Sequence, residues 1–130
     1  MNLVLDTDIL IDIEKGQTQT KSKLELLSRE YPSSPQITFI NLFEFLLGIE
    51  VRSEHKKGAA LNFVKDFGVL HTTDDTSKLL AHLKSKYDKK GIALSLADFI
   101  IATLVIENDL ILVTRDTDFE KISELEKIFV

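Results

Sequence analysis

A chain of 130 residues, 44% hydrophobic and 28% charged, has the apolar material for a single folded domain spanning 1–130 without covalent staples. It contains no cysteine, which excludes disulfides, thiolate metal sites and cysteine nucleophiles and suits a reducing compartment such as the cytoplasm. Its net charge of −5 provides no overall field to gather nucleic acid, although carboxylates grouped around a cation would alter that balance locally.

The run from Met1 to Leu5 is short and apolar and has no basic segment before it. It is expected to form a strand rather than a signal peptide or a membrane span, and no later run approaches spanning length. Strands are predicted at Leu3–Leu5, Ile37–Phe39, Val69–His71, Leu110–Val113 and Lys127–Phe129. Between them, Ile9 to Ile13 is amphipathic. Leu24, Leu27 and Tyr31 fall on one helical stripe, and Leu79, Leu80, Leu83 and Tyr87 on another. Gly16 and Gly91 have the character of helix stops. Leu96 to Ile106 is apolar almost all round, as in a helix buried within the core. Strands alternating with helices imply βαβ units and a mainly parallel sheet of four or five strands covered by helices on both faces.

Four carboxylates stand where such a fold would begin its helices. Asp6 directly follows the first strand and is suited to cap the next helix. Glu44 closes Asn41-Leu42-Phe43-Glu44, which has capping-box spacing, and Asp98 closes Ser95-Leu96-Ala97-Asp98, a weaker form of the same box. Asp116, within Thr114-Arg115-Asp116-Thr117-Asp118, is suited to cap a turn after the fourth strand. Each acid has an ordinary structural explanation. In a parallel sheet, however, helix starts gather at the carboxyl edge of the strands, and ligands bind at the point on that edge where strand order reverses. Four caps there would assemble one acidic site.

Asp98 is spaced to project between Ala102 and Val105, and Glu44 is flanked by Leu47, Gly48 and Val51. Carboxylates held close together in apolar surroundings should be harder to ionise unless a cation compensates. An all-oxygen donor set suits magnesium or manganese. Such ions can turn water into a hydroxide nucleophile and stabilise the leaving oxygen of a phosphodiester, so no nucleophilic side chain is required.

The segment Leu3-Val4-Leu5-Asp6-Thr7-Asp8-Ile9-Leu10-Ile11 resembles the opening of PIN-domain toxins of the VapC type. Asn41-Leu42-Phe43-Glu44-Phe45-Leu46-Leu47-Gly48-Ile49 resembles their second motif, and Ser95-Leu96-Ala97-Asp98-Phe99-Ile100-Ile101-Ala102 the third. Leu110 to Phe119 resembles the strand and turn carrying the fourth acid. The motifs follow the family order over nearly the whole chain. The resemblance implies a three-layer α/β/α sandwich and a homodimer that cleaves single-stranded RNA with Mg²⁺ or Mn²⁺. Asp6, Glu44, Asp98 and Asp116 would be its catalytic and metal residues, with Thr114, Asp118 and Asp8 supporting. It also implies a cognate VapB-like antitoxin encoded alongside, and no membrane partner. Many relatives carry a neutral polar residue where this chain has Asp8, which is read first as a helix cap and second as a contact to metal-bound water. Arg115, beside Asp116, is a candidate for RNA phosphate contact, or else a partner for a carboxylate.

Two other functions compete. Asp6-Thr7-Asp8 imitates the start of haloacid-dehalogenase-like phosphatases, with Asp6 as nucleophile, but Ile9 stands where that motif needs glycine and no catalytic lysine segment follows. A non-catalytic module binding RNA or protein would keep the fold but have no use for four crowded acids. A phosphate-accepting receiver domain is a weaker idea. His55, His71 and His82 are dispersed without ligand spacing, and Asp74 and Asp75 are expected to cap the helix starting near Ser77.

Overall fold

Five strands, all parallel, lie in the order β3-β2-β1-β4-β5. The computed structural model describes residues 2–130; Met1, part of the apolar opening run, lies outside them. The strands are β1 (Leu3–Leu5), β2 (Gln36–Thr38), β3 (Gly68–Leu70), β4 (Ile111–Thr114) and β5 (Lys127–Phe129). Among the described residues, six α-helices fill the connections: α1 (Thr7–Glu14), α2 (Thr18–Glu30), α3 (Phe39–Ile49), α4 (Glu54–Val64), α5 (Asp74–Lys89) and α6 (Leu96–Glu107).

Successive strand residues point to opposite faces, and that period divides the core into two layers. Leu3 and Leu5 of β1 pair in register with Ile111 and Val113 of β4, and all four join Ile9, Ile37, Phe45 and Val64 on one face. Val4 and Leu112, also in register, turn to the other face and meet Leu83, Tyr87, Phe99 and Val105 of α5 and α6. Phe99, Ala102, Leu104 and Val105 are buried, as the continuous apolar run of α6 requires. Gly16 and Gly91 end α1 and α5 with φ of 75° and 72°, the left-handed conformation that glycine adopts without a Cβ clash.

The predicted strands at Ile37, Val69 and Leu110 are displaced by one residue. Thr38 is still extended (φ −86°, ψ 163°) but already caps α3, so Phe39 is helical and does not belong to β2. α4 escapes the apolar periodicity because it buries only Ala60 and Val64; Ser53 starts it by accepting from Lys56 N–H. Asp74 and Asp75 lie in the first turn of α5, whose cap is Thr73, so they are not the caps expected of them.

The chain places β2 and β3 on one side of β1 and then crosses to β4 on the other. Strand order therefore reverses between β1 and β4. The carboxyl ends of those two strands carry Asp6 and Thr114.

Candidate active site

Asp6 is fixed from three directions. Its backbone N–H extends the β1–β4 pairing to Val113 C=O at 2.9 Å. Its Oδ1 caps α1 by accepting from Thr7 N–H at 2.9 Å, and Asn41 Nδ2 also donates to it at 3.3 Å. Oδ2 accepts from Thr114 Oγ1 at 2.6 Å. Asn41 can aim its amide nitrogen there because its oxygen is already used by Thr38 N–H and Oγ1, at 2.9 and 2.8 Å. Both Asn41 and Thr114 are fully buried, so the carboxylate has little freedom to turn.

From this anchor the network spreads both ways. Thr7 Oγ1 accepts from Asn41 Nδ2 at 3.1 Å and donates to Glu44 Oε1 at 2.5 Å. Thr114 Oγ1 accepts from Asp116 N–H at 2.9 Å, and Asp116 Oδ1 accepts from Asp118 N–H at 3.0 Å, starting a 3₁₀ turn over Thr117–Lys121. Asp98 is three residues into α6, behind Ser95, whose Oγ accepts its N–H at 3.1 Å. Asp98, Asp116 and Asp118 each offer a carboxylate oxygen, and these oxygens lie within 4.8 Å of one another.

Burial and neighbouring charge act together on two acids here, Asp6 and Asp98. Burial raises the pKa of Asp6 to about 6; the Thr114 hydrogen bond opposes this, and the charges of Asp8 and Glu44 add to it. Asp98 is also raised, first by burial and then, against the help of Ser95, by the charges of Asp116, Glu44 and Asp118. The Glu44 charge acts on both Asp6 and Asp98. A set of close, hard oxygen donors whose charges disfavour one another fits a divalent cation such as Mg²⁺ or Mn²⁺.

Of the four predicted acids, the structure brings Asp98 and Asp116 together, with Asp118, and ties Glu44 to Asp6 through Thr7; only two of the four are caps. Asp6 caps α1 and Asp116 caps the 3₁₀ turn. Glu44 lies in mid-helix, because the capping box of α3 sits three residues earlier, at Thr38 and Asn41. Asp98 receives half of a box from Ser95. The apolar surroundings expected for Glu44 do not form either: Leu47 and Val51 are exposed. Asp8 is in the first turn of α1 and is not its cap. Its Oδ2 accepts from Arg115 N–H at 3.3 Å, while Oδ1 is buried without a partner, and burial raises its pKa. Thr7, Asn41 and Ser95 enter as orienting residues. Each lies within a motif, yet its function depends on a partner distant in sequence or on a side-chain direction. Arg115 pairs with Asp12 through its guanidinium. Among the other basic residues, Arg52 is paired with Glu14, Lys84 with Asp88 and Lys86 with Glu124.

Residues 3–125 match the model of the PIN domain family. The chain belongs to that family. Ribonuclease VapC of Rickettsia bellii (strain RML369-C) is 30% identical over 136 aligned residues, covering 100% of this chain and 97% of that protein. Among solved structures, VapBC2 from Rickettsia felis bound to a DNA fragment from their promoter has a TM-score of 0.86 at 22% identity, covering 100% of this chain and 99% of that one. A toxin–antitoxin complex from Klebsiella pneumoniae has a TM-score of 0.75 at 26% identity, with 95% of each chain covered. This PIN domain is of the VapC type that its four motifs resemble, and its α/β/α architecture is the one shared by these neighbours.

Proposed function

We propose that this PIN domain is a Mg²⁺- or Mn²⁺-dependent endoribonuclease, the toxin of a toxin–antitoxin pair, acting on single-stranded RNA in the cytoplasm. The observation that carries the reading is the convergence of Asp98, Asp116 and Asp118 at the switch point, with Glu44 felt by both that triad and Asp6. The ribonuclease name of the Rickettsia bellii relative supports the substrate class. A cysteine-free sequence suits the reducing compartment.

A bound divalent cation would supply Lewis-acid stabilisation at the phosphodiester and a nucleophilic water at neutral pH. Asp98 and Asp116 would hold it, with Asp118 as the nearest further oxygen and Glu44 adjoining. Asp6 presents a carboxylate whose orientation is set by Thr7, Asn41 and Thr114, and orientation of this kind is what metal-ligating carboxylates require from their outer partners. Asp8 has one unpartnered oxygen at the edge of this group and would accept a hydrogen bond from cation-held water.

The partners would be a VapB-like antitoxin and a second copy of the chain. The antitoxin is supported by the VapBC2 and Klebsiella toxin–antitoxin complexes to which the fold is similar. Phe43, Leu47 and Val51, exposed at four-residue spacing along and just beyond α3, support a protein contact on that helix. No observation favours a phosphatase with Asp6 as nucleophile, since the position that motif fills with glycine is Ile9, buried in the core.

Purified protein free of antitoxin should cleave single-stranded RNA with Mg²⁺ or Mn²⁺, stop in EDTA, and leave 5′-phosphate and 3′-hydroxyl ends. Cleavage that persists in EDTA, or fragments ending in 2′,3′-cyclic phosphate, would overturn the reading.

A further inference from the structure

Arg115 sits between two residues tied into the acidic site, Thr114 and Asp116, and its own N–H is bonded to Asp8. Its side chain stays partly exposed. It returns to α1, where its guanidinium pairs with Asp12 Oδ2. That same oxygen accepts from Thr20 Oγ1 of α2 at 2.7 Å. Thr20 is buried and the Asp12 side chain is only 16% exposed, so the receiving carboxylate is held in place. The Arg115 side chain is 42% exposed. The pairing holds the Asp12 carboxyl below its ordinary range, as a lasting partnership with a cation would.

A guanidinium is planar, carries five donors and can serve a carboxylate on one edge and a phosphate on another. A lysine given to Asp12 would have no second edge to offer. A long arginine left unrestrained would also have to be ordered each time RNA bound, which weakens binding. We propose that Asp12, fastened by Thr20, is a positioning residue that holds Arg115 at the rim of the acidic site, so that its free N–H groups meet a phosphate flanking the scissile one. The proposal rests on the endoribonuclease reading and adds to it a device for RNA placement built from α1 and α2.

The test turns on a sign. Asp12→Asn removes a negative charge, and by bulk electrostatics this should tighten RNA binding. Loss of the holder should do the opposite and raise KM by about three- to tenfold, with a smaller change in kcat. The same rise should be seen in the Kd of a fluorescent single-stranded RNA measured in EDTA. Thr20→Val keeps every charge and should shift Kd in the same direction by less. In an Arg115→Ala background, Asp12→Asn should no longer weaken binding. If Asp12→Asn leaves Kd unchanged or lowers it, or weakens binding equally without Arg115, the ion pair is a structural link between α1 and the β4 turn and nothing more. A thermal melt of each variant separates these outcomes from loss of folding, and Thr20→Val decides if Asp12→Asn folds poorly. Failure of the wild type to cleave RNA with metal counts against the endoribonuclease reading, whereas cleavage with binding indifferent to Asp12 counts against this inference alone.

Discussion

The carboxyl edge of the sheet has two halves that solve the same problem with different chemistry. At the ends of β2 and β3, the following helices are capped by threonines: Thr38 is boxed with Asn41, and Thr73 N–H donates to Thr76 Oγ1 at 2.9 Å. At the ends of β1 and β4 the caps are aspartates, Asp6 and Asp116. Thr38 Oγ1 accepts from Asn41 N–H as Asp6 Oδ1 accepts from Thr7 N–H, so helix initiation does not distinguish the halves. Charge does. The aspartate half is joined by Asp98, Asp118 and Glu44, and burial, with the charges of Asp8 and Glu44, raises Asp6 to a pKa of about 6 against an ordinary 3.8. A capping position is therefore neutral in its effect on the fold and decisive in its effect on the site.

The largest contrast should appear in catalysis. Asp98→Asn or Asp116→Asn, each preserving size, should lower RNA cleavage by more than the roughly 100-fold that loss of an outer partner of a metal site can cost. Each should also reduce the rise in melting temperature that Mn²⁺ gives the wild type, which calorimetry would read. Cleavage and metal response at wild-type level in both variants would make the acidic half as inert as the threonine half.

A second contrast concerns pH in the metal-free protein. Because folding raises the Asp6 pKa from 3.8 to about 6, its ionised form is disfavoured in the native state. The resulting penalty is present above pH 6, falls away as pH drops from 6 towards 3.8, and is gone below that. The full change is roughly 3 kcal/mol as an order of magnitude, at 1.36 kcal/mol per pKa unit. Denaturation in EDTA at pH 7 and pH 4 should show the wild type gaining on Asp6→Asn as the solution is acidified. Parallel pH responses would assign the titration to another group.

The smallest effect belongs to the threonine half. Thr76→Val removes the acceptor of Thr73 N–H and should cost about 1 kcal/mol of stability while leaving cleavage and its metal dependence intact. A variant that folds but cuts poorly would show that the halves are coupled.

Some of this was legible in the residues themselves. The β1 run Leu3–Leu5 and the all-round apolar α6 announce burial directly, and five strands separated by helical stretches imply the parallel sheet. The four acids were visible as a group because the fold class sends helix starts to one edge. Strand ends were less so, since Thr38 belongs by its backbone to β2 and by its side chain to α3. The Asn41–Glu44 spacing mimicked a capping box whose true partners lie three residues earlier, and nothing local distinguishes the two. α4 buries too little to leave a pattern. The orienting bonds from Thr7 to Glu44 and from Thr114 to Asp6 span 37 and 108 residues, so only the folded chain reveals them.

That last span has a consequence for timing. Asp6 and Glu44 both leave the ribosome well before Thr114. Neither can form the site until β4 pairs with β1, because Thr114 orients Asp6 and the same stretch brings Asp116 and Asp118 to meet Asp98. Contacts this far apart in sequence form late. A chain in synthesis therefore carries Asp6, Glu44 and Asp98 apart from Asp116 and Asp118 until β4 has been made. Sheet topology here works as a delay, holding back assembly of the acidic site until β4 has joined β1.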